Sequence, residues 1–238
     1  MRVLALDTTA RALSAAVVDD QQVRAERVGD TTRSHAERLP AALFDVVAEA
    51  RLDLAAIDLF AVAAGPGSFT GLRIGIATMQ GLAFVTGKRI AAVSALDALA
   101  HAAAAGAAEG TLVAAWIDAH RRDVFAALYR VGASPPFSAG RIAVVDAASV
   151  GDPASIAAGW TTRPDLLIGS GARLYADVIA SAAPGARVVD APPLASVIGR
   201  VAVDRARTGD TVAPAGVQPI YVRRPDAEIA RDQKHVNQ

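Results

Sequence analysis

The sequence predicts an α/β fold built as two related lobes, and three observations predict it. The chain opens with three short segments in succession, Arg2 to Asp7, Leu13 to Val18 and Gln22 to Val28, which read as a meander of strands. Helical and strand-like stretches then alternate to about residue 105. From Thr111 the order starts again, with strands over Thr111 to Asp118, Asp123 to Val131 and Arg141 to Val145. In each half the first strand ends in an acid, Asp7 and Asp118. The lobes divide into residues 1–107 and 108–238, with the join near Ala105 to Gly110.

In chain order, Asp19-Asp20-Gln21 reads as a hairpin turn between the second and third strands. Ser34-His35-Ala36-Glu37 has the form of a capping box, and the helix behind it runs to about Arg51. Leu39, Leu43, Val46, Val47 and Ala50 form its apolar stripe. Phe44 lies off that stripe, an aromatic placed for a partner. Leu59 to Ala64 is a buried strand, and Gly65-Pro66-Gly67 turns the chain sharply. Ser68 or Thr70 caps the next helix, which reaches Thr86. Its apolar residues (Leu72, Ile74, Ile76, Met79, Leu82, Phe84, Val85) surround it, so more than one side is expected to be covered. Gly71 and Gly75 lie one turn apart and Gly81 follows. Each costs about 1 kcal/mol relative to alanine inside a helix, which makes sense where another backbone comes close. Two readings stand open on pattern alone: a core helix, or a helix shared between its own sheet and a partner protein.

Arg89 to Val93 is a further strand, and Ser94 caps an alanine-rich helix to Ala105. In the second half Asp152-Pro153 opens a short helix. Asp165 to Ile168 is a strand, Gly169-Ser170-Gly171 a turn, and Ala172 to about Ser181 a helix. Arg187 to Asp190 is a short strand, and Leu194 to Arg207 a helix with Val197, Ile198, Val201 and Ala202 inward. The tail Gly216 to Arg224 carries one apolar patch expected to dock on the first lobe, and frays beyond Pro225.

Composition narrows the function. Of 238 residues, Lys+Arg and Asp+Glu number 24 each, so the chain lacks the basic excess of a protein that binds nucleic acid alone. Cysteine is absent, which excludes disulfides, thiol catalysis and cysteine metal sites. The uncharged run between Arg73 and Lys88 is shorter than the ~20 residues that span a bilayer. With a strand at the very start in place of a signal segment, a cytoplasmic protein is expected.

Two lobes that each open on such a meander point to the actin-like ATPase (ASKHA) fold of actin, sugar kinases and Hsp70. Within it the chain resembles the TsaB (YeaZ) family of the tRNA threonylcarbamoyladenosine machinery. The resemblance rests on Leu4-Ala5-Leu6-Asp7-Thr8-Thr9, on Ser34-His35-Ala36-Glu37-Arg38-Leu39, and on the long stretch Gly65 to Gly75. Ala92-Val93-Ser94-Ala95-Leu96 and Pro219-Ile220-Tyr221-Val222-Arg223 support it. The resemblance implies a non-catalytic subunit that pairs with and activates a paralogue, TsaD, which transfers threonylcarbamoyl to adenosine 37 of tRNA. It also implies a small ATPase, TsaE, as a third member, a homodimer when the chain is alone, and tRNA contact only through the complex. The family pairs through the first two helices of the N-terminal lobe. Leu39, Phe44, Gly71, Ile74, Gly75, Thr78, Met79 and Leu82 are therefore the expected interface, with Gly71 and Gly75 at closest approach. On this account Gly75→Leu leaves the fold intact and weakens pairing.

The chemistry expected of the chain itself is sparse. TsaD-like relatives hold a metal with two histidines four residues apart; here the pair is His35 and Leu39, so neither a metal site nor protease activity is expected. Asp7-Thr8-Thr9 sits where the fold's first phosphate loop lies, and Gly169 and Gly171 where its adenosine motif lies. The second-lobe hairpin Asp118-Ala119-His120-Arg121-Arg122-Asp123 has no glycine to admit a phosphate, and His120 stands where similar proteins have arginine. The cleft reads as a relic of a nucleotide site, and no cofactor is assigned. No nucleophile has a base beside it in sequence, and capping suffices as a role for Ser68. The rivals are a small ATP-dependent kinase of the same fold, a metalloprotease, and a scaffold for another partner.

Overall fold

The computed structural model describes residues 1–29 and 35–223, with side chains in the second block from Leu39 onward. The capping box at Ser34 to Glu37, the side chain of His35 and the tail beyond Arg223 lie outside the described residues. The first half holds β1 (Arg2–Asp7), β2 (Ser14–Asp19), β3 (Gln22–Val28), α1 (His35–Glu49), β4 (Leu59–Gly65), α2 (Phe69–Thr86), β5 (Arg89–Ser94) and α3 (Ala95–Ala104). The second holds β6 (Leu112–Asp118), β7 (Val124–Val131), β8 (Ile142–Gly151), α4 (Pro153–Ala158), β9 (Leu166–Ile168), α5 (Ser170–Leu174), α6 (Ala176–Ala182), β10 (Arg187–Val189) and α7 (Leu194–Arg207).

The two halves have one topology. The first sheet is ordered β3-β2-β1-β4-β5 and the second β8-β7-β6-β9-β10. In each, the opening three strands pair antiparallel and the later two join parallel to the first. Strand alternation sorts the side chains into layers. Leu4, Leu6, Phe60 and Val62 face outward under α1 and α2, while Val3, Ala5, Ala61 and Ala63 face a central layer made by α3 and α7. Val113 and Ala115 meet that layer from the second sheet, and Leu112, Ala114 and Trp116 turn to the outer helices α4, α5 and α6. The central faces are rich in alanine, so two helices fit closely between two sheets. At Gly199 a Cβ would stand 2.6 Å from Val18 Cγ2, so α7 comes close to the first sheet there.

Two elements differ from the sequence reading, and at a third the structure decides between two alternatives. β8 continues to Gly151, well past Val145, because its edge pairing with β7 survives two register shifts. The helix expected over Ala172 to Ser181 is broken at Tyr175, whose backbone (φ −113°, ψ 35°) is not helical. Ser68, not Thr70, caps α2, accepting from the Gly71 N–H at 3.3 Å, and left-handed Gly87 ends the helix.

Beyond α7 the chain returns to the first lobe. Val212 bridges Ile90, Val217 is buried beside α2, and the Ile220 N–H donates to the Ala64 carbonyl at 2.7 Å. Arg223 then reaches the second lobe, donating to the Ala119 carbonyl at 3.0 Å and pairing with Asp123. Tyr129 and Asp97 tie β7 to α3 through a 2.8 Å hydrogen bond. Burial, with the neighbouring Asp97 carboxylate, pushes the Tyr129 phenol far above its ordinary range.

Candidate functional site

Both lobes place their first hairpin turn and their glycine turn at one mouth. In the first lobe, Asp7 is buried and its Oδ1 accepts from the Thr9 N–H at 2.8 Å and the Thr9 hydroxyl at 2.6 Å. The Thr9 carbonyl accepts from the Ser68 N–H at 2.9 Å. In the second lobe, Asp118 Oδ1 accepts from the His120 N–H at 2.9 Å, and the Asp118 N–H donates to the Ser170 hydroxyl at 3.1 Å. A cleft of about 760 Å³ between the two turns is lined by Asp7, Thr9 and Gly169, with Arg11 and Pro193 on its walls. Of the five residues read as a relic nucleotide site, these three share the cleft. Thr8 is fully buried and its hydroxyl donates to the Gly71 carbonyl at 2.8 Å; Gly171 is buried against β6.

The glycines of both turns are filled by the chain itself. A Cβ at Gly67 would stand 2.5 Å from Thr9 Cβ, one at Gly169 2.3 Å from the Trp116 carbonyl oxygen, and one at Gly171 3.0 Å from the Ile117 carbonyl carbon. Gly65 and Gly169 have matching positive φ, 109° and 112°, which favour glycine. These glycines admit neighbouring strands and turns. The β6–β7 turn is also held without glycine: His120, Arg121 and Arg122 lie at φ 57°, 54° and 67°, a conformation that costs an L-residue about 1 kcal/mol or more.

Of the groups able to do acid–base work, Asp118 and His120 line the cleft and His101 lies apart from it. Ser68 caps α2, and the exposed His120 ring faces Asp118, Nδ1 to Oδ2 3.5 Å, inside its own hairpin. His101 is buried in α3 with no partner on Nδ1; burial, aided by Arg205, lowers its pKa to about 4. Among the described residues no group of three or more His, Asp or Glu side chains is placed to hold a metal.

The second candidate surface is the outer face of α1 and α2. Here the expected interface residues separate. Leu39 and Met79 are buried in the outer core of the first lobe. The Gly71 carbonyl accepts from the Thr8 hydroxyl at 2.8 Å, and a Cβ at Gly75 would stand 2.1 Å from Thr8 Oγ1. The small size of Gly75 admits Thr8 within the chain. Ile74, Thr78 and Leu82 are half-buried on the outer side, and Phe44 is 59% exposed. An apolar groove of about 260 Å³ runs between the helices, lined by Pro40, Leu43, Phe44, Thr78, Gly81 and Leu82 among others. Phe84 and Val85, 80% and 77% exposed, extend this surface at the end of α2. Gly81 is exposed and a Cβ there would meet nothing within 4 Å. Sequence spacing draws attention to the pair 71 and 75 and not to Gly81.

Comparison with known proteins fits these features. Residues 23–150 match the family model described as TsaD, tRNA N6-adenosine threonylcarbamoyltransferase. The tRNA threonylcarbamoyladenosine biosynthesis protein TsaB of Escherichia coli is 31% identical over 234 residues, covering 94% of this chain and 95% of its own length. The chain belongs to the TsaB (YeaZ) family. The solved structure of YeaZ from Pseudomonas aeruginosa has a TM-score of 0.75 at 29% identity, over 92% of this chain and 99% of its own. The activator of the 2-hydroxyisocaproyl-CoA dehydratase from Clostridium difficile shares the fold alone, with a TM-score of 0.50 at 11% identity over 88% and 97%. The duplicated sheet topology is that of the ASKHA fold, as the opening strands predict.

Proposed function

We propose that this chain is a non-catalytic subunit of tRNA N6-threonylcarbamoyladenosine formation, which docks its α1–α2 face on the transferase TsaD and activates it. Family membership supports the pathway. The observation that carries the docking is the apolar outer face: exposed Phe44, Phe84 and Val85 around an open groove, on a helix pair that already buries its other side. Gly81 adds to it, since among the described residues nothing lies within 4 Å of a Cβ there. When TsaD is absent the same face pairs with a second copy, because exposed apolar area of this kind is self-complementary under a two-fold axis. TsaE joins the assembled pair, and tRNA is reached in the complex. The two hairpin turns, closed by their own side chains and backbone, support a subunit without its own nucleotide chemistry; a small kinase would need tight ATP binding there.

Light scattering on the chain alone and with TsaD tests this. The expected result is a homodimer that gives way to a one-to-one complex. Gly81→Leu, whose Cβ would meet nothing within 4 Å, is expected to melt no lower than the parent and to weaken both assemblies by about tenfold or more, as the loss of a close helix approach does. A monomer indifferent to TsaD, or a Gly81→Leu variant that assembles normally, overturns the reading.

A further inference from the structure

The chain from residue 212 to 223 crosses from one lobe to the other, and its two attachments are unequal. On the first lobe it is held at every few positions. Val212 bridges Ile90, Gln80 Nε2 of α2 donates to the Pro214 carbonyl at 2.8 Å, and Val217 is buried. The Ile220 N–H donates to the Ala64 carbonyl at 2.7 Å. Tyr221 stacks on Phe69 with ring centroids 5.6 Å apart, and its hydroxyl accepts from Arg73 Nε at 3.2 Å. On the second lobe the polar attachment is Arg223, beside Val222, which is half-buried against the central layer. Arg223 donates from Nη1 to the Ala119 carbonyl at 3.0 Å, pairs through Nη2 with Asp123, and lies 5.8 Å from the centroid of the Phe125 ring. Ala119 and Asp123 are the two ends of the β6–β7 turn, joined by a 3.0 Å bond from the Ala119 N–H to the Asp123 carbonyl. Arg223 therefore straddles the turn whose three central residues are left-handed.

We propose that residues 212–223 are a strap across the mouth with Arg223 as its latch. Latched, the strap ties the end of β4, at Ala64, to the end of β6, at Ala119, and so sets the spacing of the two lobes there. Released, it opens at the second lobe and stays fixed to the first. The unequal attachments decide which end opens. Freeing the first-lobe end would bring Val217, 3% exposed, into water and break the bridge to Ile90. Freeing the second-lobe end gives up an ion pair whose side chains are 24% and 33% exposed, and water replaces part of what is lost. The turn beneath also carries backbone strain, which its release relieves. The strap has a cavity to close. Ile220, Tyr221 and Val222 wall a space of about 440 Å³ whose other sides come from both lobes, Leu72 of α2 on one and Asp118 and Phe125 on the other. With the latch open, that space loses a wall and joins solvent.

Hydrogen exchange of the full chain, read by mass spectrometry, tests the latch in peptides that cover the strap and the β6–β7 turn. Asp123→Asn and Arg223→Gln keep the shape of the pair and remove its charge attraction. Each is expected to speed exchange in both peptides by about fivefold or more, as loss of a partly exposed charge-assisted hydrogen bond does, while β1, β4 and α7 keep parent rates. In the parent, raising salt from about 0.1 M to about 1 M is expected to act in the same direction, since ions reach the pair. The chain has no cysteine, so spin labels on Ala10→Cys and Ala154→Cys, one exposed site in each half, report the spacing of the lobes. One narrow distance is expected in the parent, and a broader, shifted distribution once Asp123→Asn is added. Parent-like exchange in both variants, a rise spread evenly over all peptides, or a distance distribution that Asp123→Asn leaves unchanged overturns the proposal.

Discussion

The two lobes share a strand order and differ in how they cover their outer faces. The first sheet is covered by helices of 15 and 18 residues, the second by helices of 6, 5 and 7. Long helices bury one side in the sheet and leave a continuous second side for something else. Short ones turn in on themselves: Trp116 of β6 packs against Trp160 beyond α4, and Ile179 of α6 is buried in the same cluster. The mouths of the lobes, by contrast, stayed alike. Each has an Asx turn on its first strand and a glycine of matching φ before its second outer helix. The continuous apolar outer face is therefore a property of one lobe's cover, built on a frame that both lobes keep.

The strongest way to break this contrast is Gly75→Leu. If α2 spends its buried side on its own β1–β2 turn, the new side chain collides with Thr8 and forces apart a packed helix and sheet. A loss of about 3 kcal/mol or more in denaturant unfolding is expected. A variant as stable as the parent would return Gly75 to the outer surface. The next test compares the matching turns. Gly169→Ala and Gly65→Ala suffer the same backbone strain, but the first meets the Trp116 carbonyl of a central strand at 2.3 Å and the second the Ile220 carbonyl of the returning tail at 2.7 Å. A tail gives way more easily than a strand, so Gly169→Ala is expected to cost about 3 kcal/mol and Gly65→Ala about half of that. Equal losses would mean that the tail is as rigid as the sheet.

The layer that both lobes share supplies a third test, through pH. His101 on α3 is buried near Arg205, Asp204 and Arg141 and has its pKa lowered to about 4 from the ordinary value of 6.5. Its neutral form is favoured in the folded state, so the unfolded chain binds more protons between these values. Stability from this group is fully present above pH 6.5 and is lost as pH falls toward 4, by up to about 3 kcal/mol. His101→Phe is expected to flatten that part of the stability profile. An unchanged slope would place the acid sensitivity on other groups.

The sequence carries the strands and the caps well, because each is a local decision. Ser94 accepts from the Asp97 N–H and Asp152 from the Ser155 N–H, as their places before helical runs suggest. The outward side of Phe44 follows from its place off the apolar stripe. What α2 does with its glycines was not legible. Helical spacing puts Gly71 and Gly75 on one face but gives no sign of which neighbour that face meets. The neighbour, Thr8, is more than sixty residues away in sequence and meets them only when β1 and β4 pair in parallel. Gly81 differs by having nothing to admit, a distinction that exists only in three dimensions.

The position of α7 has a consequence for how the molecule is made. This helix, Leu194–Arg207, lies against β1, β2, β4 and β5, so the first sheet to leave the ribosome has much of one apolar face bare until α7 is synthesised. Contacts so distant along the chain are slow to form, and a bare sheet is prone to wrong partners meanwhile. The second sheet and α3 form in that interval, and α3 covers part of the same face first. The nascent chain is thus closed from its end backward: α7 is the stroke that completes a lobe begun at residue 2, and a ribosome stalled within the second half holds two unfinished lobes.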